Sequence, residues 1–130
     1  MTHPDAQLVA RGYDAVASGD LDALADVLAD DIVWHVPGRG LISGDYQGID
    51  GVRKFFTTAQ QLSHGTMRVE LHDIAATDDH TFAVQINHAE RDGKVLDARA
   101  VAVFRVRDGK GTEVWFFTNS QYGGNDAFWS

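Results

Sequence analysis

Ile32-Val33-Trp34-His35-Val36-Pro37-Gly38 decides how this chain is read. It is a short apolar strand that stops at a Pro-Gly pair, because proline lacks the N–H a ladder needs. Two helix signals precede it, a Gly-rich bend and a third amphipathic helix follow, and all that comes after alternates like hairpin-linked strands. Helices first and strands second, in a chain of 130 residues, predict an α+β fold. The expected form is a cone-shaped α+β barrel with three N-terminal helices packed on a curved, mostly antiparallel sheet that encloses a hollow. The whole chain, 1–130, reads as one domain without internal repeat or linker.

Before the strand, Ala6, Val9, Tyr13 and Val16 recur at spacings of three and four, the stripe of an amphipathic helix that Ser18-Gly19 ends. Asp20 is a suitable cap for a second helix with Leu21, Leu24, Ala25 and Leu28 as its buried face. Asp30-Asp31 then breaks to the strand. After it, Pro37-Gly38-Arg39-Gly40 cannot continue a ladder, so Leu41 to Gln47 reads as a loop. Asp50 is read as the cap of a third helix with a Val52, Phe55, Phe56, Ala59, Leu62 stripe.

The period then changes to two. Met67, Val69 and Leu71 alternate with Arg68, Glu70 and His72. Asp78-Asp79, Asp92-Gly93 and Asp108-Gly109 are turn signals that separate strands at 81–90, 95–106 and 112–121. Gly123-Gly124 is expected to free a short tail.

A two-residue turn at Asp92-Gly93 pairs Arg91 with Lys94, and counting back pairs Asn87 with Ala98, Gln85 with Ala100, Ala83 with Ala102 and Thr81 with Phe104. That face is small and polar. The other face carries Phe82–Val103, Val84–Val101, Ile86–Arg99 and His88–Asp97 and is largely apolar. A one-residue slip would exchange the two faces. Alanines with a few amides suggest a hollow for a small molecule; the competing reading is a filled core in which the alanines accommodate Phe55, Phe56 and Tyr13. The apolar outer face calls for cover, most simply by a second copy in a homodimer, with Trp115 and Phe117 extending the patch.

Composition narrows the function classes. Lys plus Arg number 11 against 19 Asp plus Glu, a net charge of −8 with histidine neutral. That disfavours nucleic acid and anionic membrane surfaces, which need clustered positive charge. There is no cysteine, hence no disulfide and no thiolate chemistry. The start of the chain lacks a signal-peptide pattern and no apolar run is long enough to span a bilayer, so the expected compartment is the cytoplasm. No phosphate loop, dinucleotide fingerprint, nucleophile elbow or helical zinc pair is present, and no cofactor is implied.

The element order, with Gly19-Asp20-Leu21, Ala29-Asp30-Asp31, Trp34-His35-Val36-Pro37-Gly38, Gly44-Asp45-Tyr46-Gln47-Gly48 and Phe104-Arg105-Val106-Arg107-Asp108-Gly109-Lys110 at the junctions, resembles the SnoaL-like branch of the nuclear transport factor two superfamily. The resemblance implies the cone fold and a small hydrophobic or aromatic ligand. It also implies a choice among isomerases, polyketide cyclases, epoxide hydrolases, dehydratases and binding modules without chemistry. The general-base Asp of ketosteroid isomerases falls at Val36 and their second acidic residue near Ala102, while Tyr13 is a counterpart of their first-helix tyrosine. Steroid-type isomerisation is therefore disfavoured. Asp97 and Arg99 superficially match the epoxide-hydrolase arrangement but sit on the outer face.

Two functions from different classes remain. One is a cofactor-free isomerase- or cyclase-type enzyme moving a proton on an apolar, oxygenated metabolite; the other is a module that binds such a molecule without turnover. The candidate catalytic residues are His35, Tyr13 and Asn87. His35 titrates near neutral pH. Its parity points it away from the hollow, but the Pro37-Gly38 bend can rotate it toward the mouth, and the bland account is a hydrogen bond to the Gly38–Ser43 loop. Candidate ligand contacts are Trp34, Val36, Tyr46, Phe56, Gln85, Ala102, Phe104, Phe116 and Thr118, with Trp34 equally readable as a core tryptophan. Arg53, near the start of the third helix, can hold an anion there or simply be exposed. His88 opposite Asp97 reads as a cross-strand ion pair.

Overall fold

The computed structural model describes residues 3–119 and 121–130. It is an α+β fold on one six-stranded mixed sheet: β1 (Leu28–Val36), β2 (Gly44–Gln47), β3 (Arg68–Ala76), β4 (Thr81–Arg91), β5 (Lys94–Arg107) and β6 (Lys110–Thr118). The strand order is β2-β1-β6-β5-β4-β3, antiparallel throughout except for the parallel pair β1–β6. No helix among the described residues is long and apolar enough to cross a membrane.

Helix α1 (Pro4–Ala17) starts with proline in its first turn and the His3 ring accepting from the Asp5 N–H at 3.1 Å. It ends at Ser18, and Gly19 takes φ 74°, the left-handed conformation that suits a chain reversal. The second helical segment is a 3₁₀ turn, Leu21–Asp26, rather than an α-helix, although Asp20 caps it by accepting from the Ala23 N–H. With six residues it turns only Leu24 fully inward, and Ala25 is exposed instead of buried. Strand β1 also begins earlier than Asp30-Asp31 suggested, with an irregularity between Leu28 and Val33 that carries the two aspartates to solvent.

The expected loop before the next helix contains a strand. Gly44–Gln47 pairs with β1, setting Tyr46 opposite Trp34 and Asp45 opposite His35. A single apolar residue in four left it no readable period. Helix α2 (Gly48–Leu62) starts before Asp50, which lies in its first turn beside Arg53 instead of capping it. Of the predicted stripe, Val52, Phe55, Phe56 and Ala59 are buried and Leu62 is half-buried. Helix α2 lies over β1 and α1 over β3.

The β4–β5 register runs from Arg91↔Lys94 to Thr81↔Phe104, as the hairpin count predicted. Asp92 and Gly93 both have positive φ, 51° and 80°, the backbone of a two-residue hairpin turn that matches strand twist. Asp108 and Gly109 repeat it, and an irregularity between Arg105 and Val106 then sets Trp115 opposite Val103 and Phe116 opposite Ala102. Trp115 and Phe117 therefore share the outer face with Phe82, Val84 and Val101, and Phe116 and Thr118 point inward.

Candidate functional site

Between the helices and the inner sheet face lies a cavity in which the space open to the centre of a water molecule is about 100 Å³. Its far wall is β4 and β5. Ala83 and Ala102 are fully buried and do not reach the cavity, whereas Gln85, Asn87 and Ala100 line it. The alanines thus differ by place: those toward Thr81 are packed in the core, and Ala100 lies beside open space.

The near walls are aromatic. Trp34 enters from β1, with ring centroids 5.0 Å from Phe116, 5.6 Å from Phe56 and 5.8 Å from Phe55. Val36, Phe104 and Thr118 complete the expected set, and all of these side chains line the cavity. Two expected contacts do not. Tyr46 packs on Phe55 and donates its hydroxyl to the Ile42 carbonyl at 2.7 Å, and Ala102 is covered on the inner face opposite Phe116.

A chain of neutral hydrogen bonds crosses the cavity floor. The Tyr13 hydroxyl on α1 donates to Gln85 Oε1, and Gln85 Nε2 donates to Asn87 Oδ1 at 2.8 Å. Burial raises the Tyr13 pKa well above the ordinary phenol value, because the phenolate would lose its hydration. Tyr13 therefore stays protonated. The Asn87 amide oxygen is engaged by Gln85, and among the described residues no acceptor takes its N–H groups, in a residue that lines the cavity. Trp34 Nε1 is buried with no hydrogen-bond partner among the described residues, an unmet donor in the wall of the same space.

His35 is not in this space. In the sheet rows it sits beside Asp45 and Trp115 on the outer face. Its Nδ1 lies 2.8 Å from Asp45 Oδ1 and its Nε2 2.7 Å from Glu113 Oε2, and the ring stacks on Trp115 at 5.7 Å and 17°. Hydrogen bonds donated to Glu113 and then Asp45 raise its pKa, since both favour the imidazolium. The Pro37-Gly38 bend does not rotate His35 inward: the strand stays regular through Val36. The bland account is also corrected, because the partners are carboxylates on β2 and β6 rather than the following loop, where Ser43 bonds instead to Pro37 and Gly40.

His88 likewise meets two carboxylates, Asp97 and Glu70. Arg53 pairs with Asp22 at 2.9 Å and Asp50 at 3.7 Å, so it is already engaged by acids. Among the described residues no group of three His, Asp or Glu side chains is placed to hold a metal.

The C-terminal segment supplies what sequence reasoning missed. Instead of a free tail, Gln121–Asp126 forms a π-helical turn and Phe128 and Trp129 are buried. The Leu41 N–H donates to the Trp129 carbonyl at 2.7 Å, and Arg91 donates to the carbonyls of Phe128 and Ser130. Gly40 permits the approach, since a Cβ there would lie 2.8 Å from Trp129 Cβ. Asn125, Asp126 and Trp129 thereby join the cavity wall. The signal available was the Ala127-Phe128-Trp129 run, too apolar for a solvated end.

Comparison with known proteins fits this geometry. The model for the SnoaL-like domain matches residues 9–114, and the chain belongs to that family. It is 34% identical over 127 residues to the uncharacterized protein Rv0034 of Mycobacterium tuberculosis, covering 97% of this chain and 96% of that one. Among solved structures it is similar to Bal32a from a soil-derived mobile gene cassette, with a TM-score of 0.93, 31% identity and coverage of 98% and 97%. It is also similar to a Xanthomonas campestris protein of unknown function with a cystatin-like fold, with a TM-score of 0.88, 27% identity and coverage of 100% and 99%.

Proposed function

We propose that the cavity binds a small, uncharged, largely apolar molecule carrying a hydrogen-bond-accepting oxygen. We further propose that the protein is a cofactor-independent isomerase- or cyclase-type enzyme that moves a proton on it. One observation carries this reading: the cavity wall is mostly aromatic and aliphatic, contains no Lys, Arg or His among the described residues, and is crossed by the neutral Tyr13–Gln85–Asn87 chain. An anion bound there would meet no compensating cation, and burying an uncompensated charge is costly. An oxygen acceptor would meet the Asn87 N–H groups, and growth of negative charge on it would strengthen those bonds. Most of the affinity would come from apolar burial, roughly 25 cal/mol per Å².

Binding without turnover is the second reading, favoured by the outward placement of His35 and the neutral state of Tyr13. The outer sheet face, with Phe82 and Phe117 exposed at 41% and 59%, is proposed to pair with a second copy. Thermal-shift and tryptophan-fluorescence titration with 2-tetralone, a neutral aromatic ketone, against AMP tests the ligand class. Stabilisation by the ketone alone is expected; stabilisation by AMP with the ketone silent would refute it.

A further inference from the structure

Resting on the cavity as the ligand site, we infer that Tyr13 is a positioning residue: it fixes which end of the Asn87 amide the ligand meets, and so makes the site select hydrogen-bond acceptors over donors. A side-chain amide carries an acceptor and a donor on two ends of nearly the same shape, so packing alone does not orient it. The orientation has to come from a neighbour whose own role is fixed. Gln85 and Asn87 share the inner face of β4, and Tyr13 reaches Gln85 from α1.

Burial keeps Tyr13 the neutral phenol, so it has a proton to place. Among the described residues the acceptor of that proton is Gln85 Oε1. Turning the Gln85 amide over would set Nε2 against the phenol oxygen and strand the O–H proton, which costs a buried donor its full desolvation. Gln85 is 5% exposed, so solvent does not supply a substitute partner. Its oxygen therefore faces Tyr13, its Nε2 takes Asn87 Oδ1 at 2.8 Å, and the N–H end of Asn87 is left over.

One hydroxyl on α1 thus sets the polarity of a group it does not touch. The same wall holds a second donor without a partner among the described residues, Trp34 Nε1 on β1. Asn125 Oδ1, an unpaired acceptor of that wall, belongs to the C-terminal turn and stands outside the chain of amides. A ligand oxygen seated on Asn87 gains hydrogen bonds, whereas a ligand N–H seated there meets another N–H. The ligand class is accordingly an apolar molecule whose oxygen accepts, in preference to one whose polar group only donates.

Isothermal titration calorimetry on wild type and Tyr13→Phe measures the affinities of 2-tetralone, an acceptor, and indole, a donor of similar size. Phenylalanine keeps the ring edge-on to Phe104, 6.2 Å away, and removes only the hydroxyl. Gln85 and Asn87 are then free to turn, and the preference for 2-tetralone over indole is expected to fall by about tenfold, the worth of one hydrogen bond. Damage to the cavity alone would weaken both ligands together and leave their ratio as it was. Should Tyr13→Phe not fold, adding Gln85→Leu replaces both partners by apolar groups, a change that is nearly neutral for stability, and the same fall is expected. An unchanged ratio in a folded variant overturns the positioning role. Wild-type protein that binds indole at least as tightly as 2-tetralone overturns the fixed polarity and leaves the cavity as a binding site. Failure of both molecules to bind overturns the ligand reading and this inference with it.

Discussion

The two faces of one sheet, made from alternate residues of the same strands, carry opposite chemistry. Along β4 and β5 the inner face reads Ala83, Gln85, Asn87, Ala98, Ala100, Ala102, and the outer face reads Phe82, Val84, Ile86, Arg99, Val101, Val103. The inner residues are small because bulk comes from across the cavity, from Trp34, Phe55 and Phe56. The outer residues are large, Phe82 among them stays exposed, and among the described residues the histidine–carboxylate sets on the sheet lie on that side: His35 with Asp45 and Glu113, His88 with Asp97 and Glu70. Along these strands the polar groups are uncharged inside and charged outside, in keeping with the neutral ligand and the second copy proposed above.

The largest contrast concerns stability. Phe56→Ala removes a ring that is 6% exposed and should cost about 3–5 kcal/mol in urea unfolding. Phe117→Ala, exposed on the other face, should cost about 0.5 kcal/mol or less in the isolated chain. A comparable loss at both would break the assignment of a single core.

Binding should divide the same way. Ala100→Leu extends into the cavity and is expected to weaken 2-tetralone binding by at least about tenfold, a change worth about 1.4 kcal/mol. Val101→Leu, one residue on and on the other face, should bind as wild type. Association should respond only to the convex side: Phe82→Lys with Phe117→Lys should halve the mass seen by light scattering at micromolar concentration. A wild-type mass equal to one chain would remove the second copy from the account.

The smallest effect is a pH dependence. The folded-state pKa of His35 is raised above its unfolded value. Its contribution to stability is therefore fully present below the unfolded value of about 6.5 and lost as pH rises through the folded one. The gap in thermal midpoint between wild type and His35→Gln should be largest near pH 6 and shrink toward alkaline pH, with 2-tetralone binding unaffected. A gap that widens with pH would contradict the paired imidazolium.

What could be read in advance follows the range of the interactions. The β4–β5 pairs were legible because Asp92-Gly93 sets a turn whose register counts itself, and α2 because five apolar residues mark one helical face. The outward parity of His35 was equally legible. Its partners were not, because Glu113 lies 78 residues away and reaches His35 only through the parallel β1–β6 pairing, which no local pattern announces. Strand β2 carries one apolar residue. The C-terminal turn was hidden for a related reason: Gly123-Gly124 looks like release, and Gly40 explains the seat of Trp129 only once the two segments are brought together.

The parallel seam between β1 and β6 also orders events in time. The β4–β5 turn closes across two residues, whereas Trp34 meets Val114 across a loop of about 80, an entropic difference of roughly 3 kcal/mol before any side chain packs. The hairpin can form alone; the seam must wait for it, and the concave space does not exist until the seam is made. Folding should thus be slow for a chain of this size. A substitution at Val114 should slow refolding less than it speeds unfolding, and stopped-flow kinetics would show that imbalance directly.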